Sequence, residues 1–227
     1  MSFKEFIKSL NSNGVEGELV KTIIYSIITS AIVLEVLYFI KLKNIQDFMP
    51  KYGFYIFFIV LSYALIMPAI RQVRAYKEFP CMSGMMIGMT LGMISSFLSG
   101  FYVAATNGMF IGGFFGVFLG IIIGAWNGKC CGVMGIMEGV MAGFMGGLMG
   151  AMTAFMLFND NLKIAAVLVF IIGAIIIVGL NYMLYKESHH LERKRKEDNF
   201  LTIALTFILT LITTWLIVFG PRSAIFS

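Results

Sequence analysis

Apolar residues fall along the chain in seven long runs, at about 20–41, 52–70, 82–104, 108–126, 131–157, 164–185 and 200–219, separated by short polar stretches. A helix needs about 20 apolar residues to cross a hydrocarbon core about 30 Å thick, so each run predicts one transmembrane helix. The expected fold is all-α: a polytopic integral membrane helix bundle of about seven transmembrane helices. In the fourth run glycine recurs at every fourth residue, at Gly108, Gly112, Gly116, Gly120, Gly124 and Gly128. A glycine in an exposed soluble helix costs about 1 kcal/mol against alanine. Its repetition here predicts close backbone approach, which small residues permit between helices in a bilayer. Four residues advance the helix by about 400°, so the stripe drifts about 40° per glycine and one straight partner cannot meet all six. The neighbouring runs repeat the spacing, at Gly84, Gly88 and Gly92 and at Gly135, Gly139, Gly143 and Gly147. Helices three to five are therefore expected to form a glycine-zipper core, with the fourth wedged between its neighbours. Asn107-Gly108 and Asn127-Gly128 supply the two tight turns this needs.

The flanks organise around that centre. Phe3, Phe6, Ile7 and Leu10 lie at i, i+3, i+4 and i+7, which predicts an interfacial amphipathic helix over residues 1–15. Residues 16–80 hold the first two transmembrane helices and 81–157 the Gly/Met-rich three-helix core. Residues 158–199 hold the sixth helix and a charged cytoplasmic loop, and 200–227 the last helix and tail. Pro68 is expected to kink or end the second helix. Thr202, Thr206, Thr210 and Thr214 repeat the spacing of four with hydroxyl groups and predict a packing seam joined by side-chain hydrogen bonds.

Composition agrees with this class: 59% of residues are hydrophobic and 13% charged, against roughly 25% charged in soluble domains. The net charge of +5 changes the picture only through its distribution. Twelve Lys and Arg fall on the side of the N-terminus and the second, fourth and sixth loops, and five on the other. The positive-inside rule then puts the N-terminus in the cytoplasm and the C-terminus outside. The charge is a topology signal that needs no nucleic-acid partner; the expected partners are the lipid bilayer and either a second copy of the chain or a larger membrane complex. A glycine stripe can serve between subunits as well as within one.

Sulfur supplies the candidate chemistry. Thirteen of the 17 methionines lie between residues 82 and 156. On a helical wheel Met134, Met137, Met141 and Met145 share a face of the fifth helix with Cys130, Cys131 and Glu138, apart from the face of Gly135, Gly139 and Gly143. The third helix carries a stripe of Met82, Met85, Met86, Met89 and Met93 and begins at Cys81. Helices three and five run the same way, which gathers Cys81, Cys130 and Cys131 at the inner mouth. Thiolate and thioether sulfur select Cu(I) among biological metals. A thiolate entrance followed by weaker thioethers suits a path whose sites must both bind and release. This reading makes Cu(I) a cargo and requires no certain cofactor. Glu138 and Glu35 are intramembrane carboxylates and candidates for ion or proton coupling.

Two other functions compete. Methionine also fills irregular gaps beside glycine-rich surfaces, so the chain can be a scaffold or accessory subunit that transports nothing. A proton-linked small-solute transporter is the third reading, and it requires a polar cavity that touches both Glu138 and Glu35. Enzyme chemistry is not expected. There is no P-loop, no G-x-S-x-G and no H-E-x-x-H, and the two histidines stand adjacent at 189 and 190 in the charged loop. The cysteines make no disulfide framework. The M-x-x-x-M and G-x-x-x-G vocabulary resembles that of Ctr-type copper importers, and vicinal cysteines at a helix start resemble mercuric-ion transport proteins. Each likeness covers a few residues and carries over no residue's role.

Overall fold

The computed structural model describes residues 15–40, 52–76, 79–188 and 199–221. Seven long helices follow one another: α1 (Val15–Ile40), α2 (Phe54–Ala75), α3 (Cys81–Asn107), α4 (Met109–Gly128), α5 (Gly132–Met156), α6 (Leu162–Ser188) and α7 (Asn199–Phe219). A single 3-10 turn, Lys129–Cys131, links α4 to α5, and no strand occurs among the described residues. Six stretches are long and apolar enough to cross a membrane, which makes this a multi-pass membrane protein in contact with lipid. One of the six, Met109–Met156, is 48 residues long and contains both α4 and α5. It doubles back on itself. A Cβ built on Gly128, Gly124 or Gly120 would overlap the backbone of Gly135, Gly139 or Gly143 respectively, and one built on Gly147 would overlap the backbone of Gly116 and Val117.

The three helices α3, α4 and α5 meet in layers of one small residue from each. Gly88, Gly128 and Gly135 form the first layer: a Cβ on Gly88 would lie 3.0 Å from the Gly128 Cα and 3.2 Å from the Gly135 carbonyl oxygen. Gly92, Gly124 and Gly139 form the second, where a Cβ on Gly92 would be 2.9 Å from the Gly139 oxygen and 3.1 Å from the Gly124 Cα. Ser96, Gly120 and Gly143 make the third, and Gly100, Gly116 and Gly147 the fourth. Side chains of any size would force these backbones apart, so the spacing of four in the sequence is the imprint of this axis. Gly116, Gly120, Gly124 and Gly128 of α4 each stand between α3 and α5 at one of these levels. These glycine faces are occupied inside the chain.

The remaining helices gather about α2, which packs on α1, α3, α6 and α7. The buried rings of Tyr63, Phe101 and Tyr102 form the centre of that contact. Tyr102 satisfies its hydroxyl by donating to the Ala166 carbonyl at 3.0 Å, which ties α3 to α6. By contrast α5 packs extensively only on α3 and α4.

Three local expectations need correction. Of its two expected effects, Pro68 does not have that of ending its helix: α2 runs through it to Ala75. The second tight turn is not at Asn127-Gly128. Gly128 keeps helical geometry, with φ −71°, and packs against Gly135, while the chain reverses through the 3-10 turn and Gly132 at φ +70°. Only Gly108, at φ +110°, turns where the sequence pattern put it. The α7 threonines are buried as a seam requires, yet two of their hydroxyls bond within the helix: Thr206 donates to the Thr202 carbonyl and Thr210 to the Thr206 carbonyl, each at 2.8 Å. The amphipathic segment at 1–15, apart from its last residue, and the histidine pair at 189 and 190 lie outside the described residues.

Candidate functional site

The three cysteines come together at the end of the bundle where α3 begins. Cys81 opens α3 behind Pro80, whose missing N–H costs nothing at a helix start. Cys130 and Cys131 sit in the 3-10 turn that faces it. Gly84, one turn into α3, makes room for both: a Cβ there would lie 2.8 Å from the Cys131 Cβ and 3.1 Å from the Cys130 Sγ. The Cys131 thiol donates to the Cys81 carbonyl at 3.0 Å and lies within hydrogen-bonding reach of the Cys81 side chain. Cys130 turns its thiol toward the Asn127 carbonyl at 3.3 Å. Cys81 is exposed, the other two are half-buried, and none is in a disulfide. Solvent can therefore reach the cluster, beside the exposed Lys129. Among the described residues no three His, Cys, Asp or Glu side chains stand at metal-holding spacing. The arrangement is a thiol pair, Cys81 with Cys131, and a third thiol across Gly84.

No family model, curated protein or solved structure matches this chain. Its chemistry has to be read from its own side chains.

The methionines do not continue the cluster into the interior. Met134, Met137, Met141, Met145, Met149, Met152 and Met156 of α5 are 46–69% exposed, and Met82, Met86, Met89 and Met93 of α3 are exposed as well. Within one chain these thioethers enclose no space, so the expected intramolecular path along them is not formed. The wheel correctly separates the sulfur face from the glycine face; it could not say which of them points inward. The two sulfur stripes flank one seam, since Gly146 between Met145 and Met149 backs onto Met93, whose Cα would lie 3.1 Å from a Cβ there.

Two concavities accompany the bundle. One, of about 730 Å³, lies between α4 and α5 near Gly108 and is lined by Phe110, Phe114, Phe144, Leu148 and Phe155. The other, of about 230 Å³, lies between α3 and α6 and is lined by Met93, Phe97, Leu98, Val169 and Gly173. Neither is lined by Glu138 or Glu35. Both carboxylates are exposed, Glu138 on α5 and Glu35 on α1. Neither of these two concavities is the polar cavity that the solute-transporter reading requires.

Polar groups that the sequence pattern did not single out are buried elsewhere. Arg71, counted there only as a loop cation, is buried at the end of α2. It donates to Thr22 Oγ1 at 2.9 Å and to Glu18 Oε2 at 3.3 Å, clamping the start of α1. Gln72, fully buried, donates to the Asn181 carbonyl of α6 at 3.4 Å. Arg74 stacks over the Trp126 ring at 4.8 Å, linking α2 to α4. Nothing in the pattern marked them, since Arg71, Gln72 and Arg74 directly follow the apolar run at 52–70, as loop residues do, and Glu18 precedes the run at 20–41.

Proposed function

We propose that the chain crosses the membrane seven times, with α4 and α5 as separate spans, and that it binds a soft monovalent cation, most specifically Cu(I). Cys81, Cys130 and Cys131 take up the ion on the cytoplasmic side. The observation that carries this reading is the convergence of three free thiols around Gly84, from two segments 49 residues or more apart in sequence. Cu(I) accepts few ligands and prefers sulfur, so a thiol pair with a third thiol nearby suffices where a four-ligand cage would be needed for zinc. Accessibility of the cluster suits uptake and release rather than a sealed structural site. The seven-span count is supported by the fold-back of α4 on α5, each of which has 20 residues or more.

A second reading, a non-transporting subunit of a larger membrane complex, draws on the outward direction of the methionines and on the bare flank of α5. Metal binding separates the two. Purified protein under reducing conditions is titrated with Cu(I) against a competing chelator, beside the Cys130→Ser/Cys131→Ser variant. The metal reading expects one tightly held Cu(I) per chain and at least a tenfold loss of affinity in the variant. An unchanged affinity removes the thiols from the account and leaves the scaffold.

A further inference from the structure

Two sulfurs of the cluster belong together and the third stands apart. The Cys131 thiol reaches across 50 positions of sequence to the Cys81 carbonyl at 3.0 Å, and the Cys81 side chain is within its hydrogen-bonding reach. Its other possible partner is Cys130, adjacent in the chain. Neighbours joined by a trans peptide lie about 3.8 Å apart at Cα, closer than the roughly 4.4–6.8 Å that a disulfide spans. Cys130 also turns its thiol elsewhere, to the Asn127 carbonyl at 3.3 Å, with the Gly84 carbonyl at 4.0 Å. Gly84 makes the pairing possible. Because it lacks a Cβ, the Cys131 Cβ comes within 2.8 Å of where that atom would be, and the 3-10 turn lies against the first turn of α3. Joining Cys81 to Cys131 therefore asks for rotation of two side chains already in contact. Cys81 is exposed, so a dissolved oxidant can reach its sulfur, and Cys131 stands half-buried beside it.

We propose that Cys81 and Cys131 are a reversible modification site, a dithiol that a low-molecular-weight disulfide oxidises, and that closing the bond withdraws the cluster from Cu(I). The first half stands without any metal; the second rests on the Cu(I) reading. The exchange balances. The Cys81 sulfur attacks one sulfur of the small disulfide, which forms a mixed disulfide and releases one small thiol carrying the Cys81 proton. The Cys131 sulfur then attacks the Cys81 sulfur and releases the second small thiol, carrying the Cys131 proton. The two protein sulfurs lose two electrons in total and the small disulfide gains them. An exposed disulfide is of the labile kind, so an excess of the small thiol reverses the reaction. In the closed form neither sulfur can become the thiolate that ligates a metal, and Cys130 alone remains.

The test uses metal-free full-length protein in membranes, equilibrated in buffers of oxidised and reduced glutathione. Free thiols are then capped with a maleimide and the linked peptides mapped by mass spectrometry. The expected result is one bond per chain, Cys81 to Cys131, formed in the oxidised buffer and lost in the reduced one. Cys130→Ser should leave its yield within twofold, and Cys131→Ser should lower the amount of disulfide-linked Cys81 peptide at least tenfold. Three capped thiols in the oxidised buffer, Cys81 stalled as its glutathione adduct, a bond at Cys130 or a bond between two chains overturns the proposal. Chelator competition for Cu(I) on the oxidised and the reduced protein reads the second half, with at least a tenfold weaker affinity expected after oxidation; equal affinities overturn the closure. Reduced protein that binds no Cu(I) sinks the metal reading and the closure with it, while the mapped bond stands or falls by itself.

Discussion

Replacing Gly139 by alanine tests the layered core at one of its tightest points. A Cβ at that position would overlap the Gly124 carbonyl group and lie 3.0 Å from the Ala125 nitrogen. Everything it meets is backbone, so no side chain can rotate away and the α4–α5 hairpin has to open instead. Overpacking of this kind costs about 3 kcal/mol, the upper part of the usual range. The gain in helix propensity from glycine to alanine offsets about 1 kcal/mol. The net expectation is a loss of about 2 kcal/mol, which for a chain of this size lowers the midpoint of thermal unfolding by about 4–8 °C. Gly179→Ala is the control, because a Cβ there meets nothing within 4 Å. That variant should be unchanged or stabilised by up to about 1 kcal/mol. Far-UV circular dichroism of the purified proteins in one detergent, followed through heating, reads both. Equal midpoints for Gly139→Ala and Gly179→Ala would refute the claim that backbone contact fixes the spacing of four.

Gly84→Val should push Cys130 and Cys131 away from α3, since its Cβ would meet Cys131 at 2.8 Å; Cu(I) affinity, measured by chelator competition, should fall by at least tenfold with all three cysteines present. Arg71→Met removes the guanidinium 3.3 Å from the Glu18 carboxylate, which is 18% exposed, and should cost about 3 kcal/mol; Arg71→Met in a Glu18→Met background should cost less, as a double-mutant cycle by thermal unfolding will report. Tyr102→Phe removes the bond to the Ala166 carbonyl and should cost about 1 kcal/mol by the same measurement.

Close helix approach at several glycines was legible because a glycine repeated at helical spacing reports on the backbone itself. Close approach accounts for the glycines of the stripe inside α4, with Gly92, Gly124 and Gly139 meeting in one layer, while Gly108 serves the turn. The direction of the sulfur face was not legible. Periodicity says that Met134, Met141 and Met145 share a side; whether that side meets protein, water or lipid depends on where α6 goes, and α6 packs on α2 and α3 instead. The misplaced turn has a similar cause. Asn107-Gly108 and Asn127-Gly128 are the same dipeptide, but Gly128 is needed in the helix to let Gly135 approach, so the reversal falls on Gly132. Arg71 passed for a loop charge because its partners, Glu18 and Thr22, stand some 50 residues away in the chain. The meeting of the three cysteines was expected from parallel helices, and the vacancy of Gly84 that admits two of them emerges only in three dimensions.

The central functional claim is that sulfur alone holds the ion at the end of the bundle where α3 starts. X-ray absorption at the copper edge, on protein loaded with one Cu(I) per chain under reducing conditions, reads the ligand type directly. The account predicts a first shell of two or three sulfurs with no nitrogen or oxygen, lost when Cys81 and Cys131 are both serine. A shell of nitrogen or oxygen ligands, or a sulfur shell unaltered in that variant, would contradict it.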